Sequence, residues 1–295
     1  MRISSIISGG FFMATFTNFA TLSYNGGTTV SNTVTGEILE TLSLEKNALS
    51  GIYSPDGNVT YVLSLVNTGT TAFTGLTLTD DLGGYLSPTT TVYPLNYVPG
   101  SLRYYVNGVL QPAPTVTAGP PLVITGISVP AGGNAILVYE ADPTAFAPLA
   151  SGSTITNTAT GSGGGLASDL TAQETVTIED AIDLSITKSL SPTTVSENGQ
   201  ITYTFLIENS GNIPATAADN IVLSDTFDPI LSNISVTLNG APLTAGTDYT
   251  YNAAAGLFTT TAGVITVPAA TFTQNPDNTF SVNPGTAVLT VTGTV

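Results

Sequence analysis

The chain carries two copies of one repeat, and the closing segment of the second copy stands at the opposite end of the sequence. The first copy passes through Leu44-Glu45-Lys46, LTLTD (76–80) and ISVPAGGNAILVYEA (127–141) and closes with STITNTATGSGGG (153–165). The second passes through Ile186-Thr187-Lys188, IVLSD (221–225), ITVPA (265–269) and PGTAVLTVTGTV (284–295), with no closing segment after it. A segment of that type, ATFTNFATLSYNGG, lies instead at 14–27, with Asn18 at the place of Asn157. Asn18 precedes Lys46 by nearly the interval at which Asn157 precedes Lys188. A chain permuted in this way is expected to be completed by another copy of itself.

Apolar and small polar residues alternate through VTYVLSLVN (59–67), LRYYVNG (102–108), AILVYEA (135–141), ITYTFLIEN (201–209), ISVTLNG (234–240) and AVLTVTG (287–293). Period two over such short runs marks strands with one buried face. Asn107-Gly108 and Asn239-Gly240 hold corresponding places and suit type I′ hairpins, and Asn25-Gly26 marks a similar turn after the N-terminal strand. No segment of ten or more residues keeps a helical period. The expected fold is all-β: two tandem immunoglobulin-like β-sandwiches plus an N-terminal donor strand. The boundaries are residues 1–13 as leader or flexible segment, 14–36 as donor segment, 37–182 as first sandwich, and 183–295 as second sandwich lacking its last strand. A second strand is expected over 28–38.

Several function classes are excluded by composition. With 20 acidic and 4 basic residues the net charge is -16, which repels phosphate backbones and anionic membranes. No apolar run reaches the ~20 residues that span a bilayer. Neither nucleic-acid binding nor membrane insertion is expected. The chain has no cysteine and no histidine, so disulfides, the usual zinc sites, thiol nucleophiles and Ser-His-Asp triads cannot be built. Glu174, Glu179, Asp180 and Asp183 cluster near the domain junction, but without the spacing of a calcium loop they read as solvated surface. No cofactor, metal or enzymatic activity is expected. Residues 1–12, MRISSIISGGFF, form a poor signal peptide, because serines and glycines break the apolar stretch.

Taken together, LS-x-x-K, T-Y followed by N-x-G (Thr60 to Gly69 and Thr202 to Gly211), [TS]-D-x-[LF] and T-N-x-A-T resemble the bacterial domain of unknown function 11 repeat. The resemblance covers nearly all of the chain from residue 14 onward. It implies an extracellular stalk, adhesin or fibre module with no enzymatic activity. The short two-repeat arrangement also looks like small clostridial-type members without an export signal, and implies a bacterial surface fibre or an endospore appendage.

In a tandem array, the TNxAT strand ends one domain and leads into the LSxxK strand of the next. Here the N-terminal strand leads into the first sandwich, so it belongs to a preceding domain, and the incomplete one available is the second sandwich of another copy. The expected partner is therefore the same chain, in an open head-to-tail polymer formed by strand donation. Folding back onto the chain's own second domain and a swapped dimer are the competing closures. A cell-surface binding module is the alternative function, motivated by Tyr93, Tyr97, Tyr104 and Tyr105.

Lys46 and Lys188 are the only lysines, and they hold the same place in the two repeats. Asp80 and Asp225 follow on a middle strand, with Asn157 and the donated Asn18 on the last. This arrangement resembles Gram-positive pilin and adhesin domains that form Lys-Asn isopeptide bonds. Burial drives a lysine toward its neutral, nucleophilic amine, and a nearby acid raised in pKa can polarise the carboxamide. The candidates are Lys46, Asp80 and Asn157 within the first domain, and Lys188, Asp225 and Asn18 between subunits. An ordinary Lys-Asp pair with an asparagine bonded to backbone is the alternative. Asn32 is a competing electrophile, disfavoured because the LASDLTAQE region has no asparagine counterpart.

Overall fold

The computed structural model describes residues 13–39 and 41–295, so the expected leader at 1–12 lies outside the described residues. The chain divides into two units, one ending at Ala147 and including Thr154–Thr177, the other formed by Pro148–Ser153 and Ile178–Val295. Among the described residues, apart from one short 3-10 turn at Ala217–Asp219, the regular structure is all strand.

The N-terminal segment is a two-stranded ribbon. Strands β1 (Met13–Asn18) and β2 (Thr21–Tyr24) run against β3 (Gly27–Val30) and β4 (Val34–Leu39), with Asn18 opposite Val34 and Thr21 opposite Val30. The expected single strand over 28–38 is thus split, and β4 runs across the boundary drawn at 36/37. The turn also differs from expectation, because Gly26 has φ 127° while Asn25 is not left-handed. A type I′ turn needs positive φ at both central residues. The other two turns meet that need: Asn107 and Gly108 have φ 48° and 78°, Asn239 and Gly240 have 51° and 80°.

The first sandwich has nine principal strands: β5 (Leu42–Ala48), β6 (Val59–Asn67), β7 (Phe73–Asp80), β8 (Arg103–Val106), β9 (Val109–Gln111), β10 (Leu122–Val129), β11 (Asn134–Pro143), β12 (Thr154–Gly163) and β13 (Leu170–Ile178). One sheet has the order β9-β8-β11-β6-β5 and the other contains β10-β7-β12-β13, with short strands Thr115–Thr117 and Ile52–Tyr53 at its edges. With β9 and β10 set aside, the remaining seven strands lettered in chain order are A-B-E-D facing C-F-G, the arrangement of an immunoglobulin-like sandwich. Strict alternation drives the packing: along β6, Val59, Tyr61, Leu63, Leu65 and Asn67 are buried while the intervening residues are not. Leu76, Leu78, Ile124 and Ile155 of the facing sheet are likewise buried.

The second sandwich repeats the first sheet. Its strands β14 (Leu184–Ser191), β15 (Gln200–Asn209), β17 (Ser232–Leu238) and β20 (Gly285–Thr294) take the order β14-β15-β20-β17. Registers agree residue for residue, with Lys46 opposite Leu63 and Lys188 opposite Phe205. Its second sheet contains only β16 (Ser224–Thr226), β19 (Leu257–Thr260) and β18 (Tyr249–Asn252), in the order β16-β19-β18. Among the described residues, no strand of this unit takes the places that β12 and β13 hold in the first.

The N-x-G motif is explained by packing. Asn67 accepts from Gly69 N at 2.9 Å and donates to the carbonyls of Thr71 (2.8 Å) and Pro130 (2.9 Å). Asn209 repeats this with Gly211 N (2.9 Å), Ile213 O (2.9 Å) and Pro268 O (3.1 Å). Each is a buried amide with its backbone partners supplied by the following turn and by a proline carbonyl distant in sequence.

Candidate functional site

The two repeats present one inward-facing set of residues in two states. On β5, Leu42, Leu44 and Lys46 are 4%, 9% and 4% exposed, because β12 and β13 complete the facing sheet. Every residue of β14 is exposed. Its matching residues Leu184 and Ile186 stand at 39% and 55%, and the Lys188 side chain at 41%. Water therefore reaches apolar surface that the fold buries when the sandwich is complete.

The ribbon shows the complementary pattern. Alternation places Phe16, Asn18, Ala20, Leu22 and Tyr24 on one face, with Ala20 held across the break between β1 and β2 by Ser31 N donating to Ala20 O at 2.8 Å. In the first sandwich the matching positions on β12 are Ile155, Asn157, Ala159 and Gly161, all buried. Phe16, Leu22 and Tyr24 are all more than half exposed. The Phe16 ring lies over Gly36 of the opposite strand, where an added Cβ would fall 2.4 Å from it, and the Tyr24 ring lies over Gly27. Cross-strand glycines thus seat the aromatic rings of this face.

Lys46, Asp80 and Asn157 are brought together in the first sandwich, all three buried. Lys46 Nζ donates to Asp80 Oδ2 and, at 3.2 Å, to the Tyr139 hydroxyl. Tyr139 donates to Asp80 Oδ2 at 2.6 Å and accepts from Asn157 Nδ2 at 3.2 Å. Asp80 Oδ1 accepts from Leu82 N at 3.1 Å, which fixes the carboxylate to the turn after β7. Lys46 Nζ also lies 4.6 Å from the centre of the Tyr61 ring, which stacks on Tyr139.

Two polar atoms of this cluster are buried without partners, Asn157 Oδ1 and Tyr61 Oη. Asn157 therefore differs from Asn67 and Asn209, whose carboxamides are saturated by backbone. Burial pulls the Lys46 amine below its ordinary pKa, against the opposing pull of Asp80 and, more weakly, of Asp81 and Glu174. Burial also raises the hydroxyls of Tyr61 and Tyr139.

In the second sandwich Lys188 donates to Asp225 and packs over the rings of Tyr203 (4.4 Å), Phe205 and Phe227 (5.5 Å each). The arrangement matches that of Lys46, but no asparagine of this unit stands in the position of Asn157. Asn18 is exposed at the end of β1, in the other unit. Asn32 is exposed between β3 and β4.

The four tyrosines that suggested a binding surface serve the first sandwich. Tyr97 and Tyr104 are buried, and Tyr93 and Tyr105 are half-buried. Tyr104 exchanges hydrogen bonds with the backbone of Ser128 at 2.8 and 3.0 Å. Sequence reasoning assigned no role to Tyr61 and Tyr139. Tyr61 was within reach, since the T-Y pair recurs as Thr202-Tyr203. Tyr139 was not, because the second repeat has Val291 opposite Tyr203 where the first has Tyr139 opposite Tyr61.

No helix among the described residues is long and apolar enough to cross a membrane. No family model matches the chain, so the likeness to the domain of unknown function 11 repeat rests on the motifs themselves. No curated protein matches it either. Among solved structures, the chain is similar to BcpA, the major pilin subunit of Bacillus cereus, at 13% identity and TM-score 0.35, covering 92% of this chain and 73% of that one. It is similar to the full-length major pilin SpaD of Corynebacterium diphtheriae at 12% identity and TM-score 0.35, covering 82% and 58%. It is also similar to AvmM, which catalyses macrocyclization in alchivemycin A biosynthesis, at 11% identity and TM-score 0.27, covering 48% and 90%.

Proposed function

We propose that this chain is a structural subunit of an extracellular bacterial fibre, polymerising head to tail as the N-terminal ribbon of one copy completes the second sandwich of the next. The observation that carries this reading is the mismatch between β5 and β14. One face in one register is buried where two further strands cover it, and open where they are absent. The ribbon brings two strands, in the chain order that precedes a first strand, and an apolar face in the phase of β12. Burying a side chain of the size of Phe16, Leu22 or Ile186 contributes roughly 1.5–3 kcal/mol, and a heterologous contact that does not close yields an open fibre.

The second part of the proposal is covalent. Lys46 passes a proton to Asp80 and attacks Cγ of Asn157 as a neutral amine; the Cγ–Nδ2 bond breaks as the Nζ–Cγ bond forms. Of the five hydrogens on the ammonium and carboxamide nitrogens, one remains on the new amide and four leave as ammonium, with Asp80 back as carboxylate. No oxidant or cofactor enters. Lys188, Asp225 and the incoming Asn18 would repeat the step between subunits.

Denaturing electrophoresis of boiled protein, with intact mass and electron microscopy, tests both parts. A boiling-resistant ladder, lost in Asn18→Ala and in Lys188→Ala, with one ammonia missing per internal bond and one more per interface bond, is the expected result. Fibres without the ladder would remove the interface bond and keep strand exchange. Compact monomers or closed dimers under all conditions would remove the fibre. Endospores are the expected display site, and antibody labelling of spores against vegetative cells tests it.

A further inference from the structure

We propose that Tyr139 is a fourth member of the internal cross-linking cluster, fixing which end of the Asn157 carboxamide faces the hydroxyl it shares with Asp80. We further propose that its loss from the second repeat makes the bond between subunits close more slowly than the bond within one. This inference rests on the covalent reading above.

A phenolic hydroxyl has one proton and two lone pairs, and all three are committed here. The proton goes to Asp80 Oδ2 at 2.6 Å, and the lone pairs receive Lys46 Nζ and Asn157 Nδ2, each at 3.2 Å. Because the proton is spent on Asp80, the hydroxyl can only accept from Asn157, so the carboxamide must turn its NH2 inward. Its Oδ1 is left without a partner. The nitrogen that departs as ammonia is thereby held on the same hydroxyl as the carboxyl that must protonate it. In one buried hydroxyl, nucleophile, acid and leaving group share a single hub.

In the second repeat the ring has moved and the hydroxyl has gone. Val291 stands opposite Tyr203 as Tyr139 stands opposite Tyr61. The aromatic volume is supplied by Phe227, stacked on Tyr203 with centroids 4.8 Å apart, two residues after Asp225 as Leu82 is two residues after Asp80. Packing is conserved between the repeats by this exchange, and the polar hub is not. An Asn18 carboxamide arriving there would find lysine and acid with no counterpart of the Tyr139 hydroxyl to set its orientation.

The test follows closure in full-length chain made by cell-free synthesis, pulse-labelled and chased. Denaturing-gel mobility and intact mass are read in a Lys188→Ala background, so that only the internal bond can form. Tyr139→Phe, which keeps the ring, is expected to slow closure about tenfold or more, the worth of a hydrogen bond to a charged group. Its urea midpoint, compared with the parent in an Asn157→Ala background, separates that loss from general unfolding. In the second site, Phe227→Leu with Val291→Tyr rebuilds the hub and is expected to speed the interface bond. Closure of Tyr139→Phe at the parental rate would overturn the inference, as would an unchanged interface rate in the rebuilt site if Tyr139→Phe fails to fold. A parent chain that loses no ammonia at all would instead overturn the covalent reading on which the inference stands.

Discussion

Lys46 and Lys188 hold one register position in two sandwiches, opposite Leu63 and Phe205, yet the first side chain is fully buried and the second is 41% exposed. Sequence gives both lysines the same aspartate partner and an aromatic neighbour. What separates them is the pair of strands that faces the first and not the second. Amine chemistry should report this directly. In a chain shortened to begin after Leu39, a lysine-acylating reagent is expected to modify Lys188 and spare Lys46. In assembled full-length chain both are expected to be protected, read by peptide mass mapping. Equal labelling of Lys188 with and without the ribbon would exclude the second sandwich as its seat.

The ribbon supplies a phase test. Phe16, Leu22 and Tyr24 lie on the face that corresponds to the buried face of β12, whereas Phe19 is one residue out of phase and equally exposed. A slip of one residue would turn every side chain to the other face. Phe16→Asp and Leu22→Asp are therefore expected to abolish fibres in negative-stain micrographs, while Phe19→Asp leaves them intact. Loss of fibres in all three would mean that the ribbon associates by general hydrophobicity.

Much of this was legible in the sequence, for specific reasons. Tandem repetition fixed the register of Lys46 against Lys188, and strict alternation marked the strands from Val59 to Asn67 and from Gln200 to Asn209 at nearly their observed limits. The matching of Asn18 to Asn157 rests on the short T-N-x-A-T spacing alone. The split of the second ribbon strand was not legible, since Ser31, Asn32 and Thr33 continue the polar β-like composition on either side. Nor was the hub at Tyr139, because comparing repeats reveals only what both retain. Here the second copy keeps the aromatic volume through Phe227 and drops the hydroxyl.

Removing one partner of a buried ion pair leaves the other without compensation, at about 3–5 kcal/mol. With Asn157→Ala present throughout to prevent bonding, Lys46→Ala and Asp80→Ala are each expected to destabilise the first sandwich by about that amount in urea unfolding. The Lys188–Asp225 pair is partly solvated, and exposed pairs contribute roughly 0–1 kcal/mol. Lys188→Ala is accordingly expected to shift the second transition of the unassembled chain by less than about 1 kcal/mol. Similar costs at the two lysines would contradict the difference in burial.

Alkaline titration separates the buried groups by sign. Burial lowers the Lys46 pKa below its ordinary 10.5, so the folded chain binds fewer protons than the unfolded chain between those two values, and stability rises with pH through that window. Burial raises Tyr53 from 10.0 to about 12, so its contribution is present below pH 10 and lost as pH climbs to about 12. Tyr61 and Tyr139 act in the same direction as Tyr53. In an Asn157→Ala chain, the urea midpoint of the first sandwich is expected to climb toward pH 10 and fall steeply beyond it. In the unsubstituted chain the reacting Lys46–Asp80 pair must keep the proton that later leaves with the ammonia, so closure of the internal bond should be steady at lower pH and slow as pH rises through the lowered pKa of folded Lys46. A closure rate that instead rises through 10.5 would show that Lys46 reacts from a solvated state, and would remove burial as the source of its nucleophilicity.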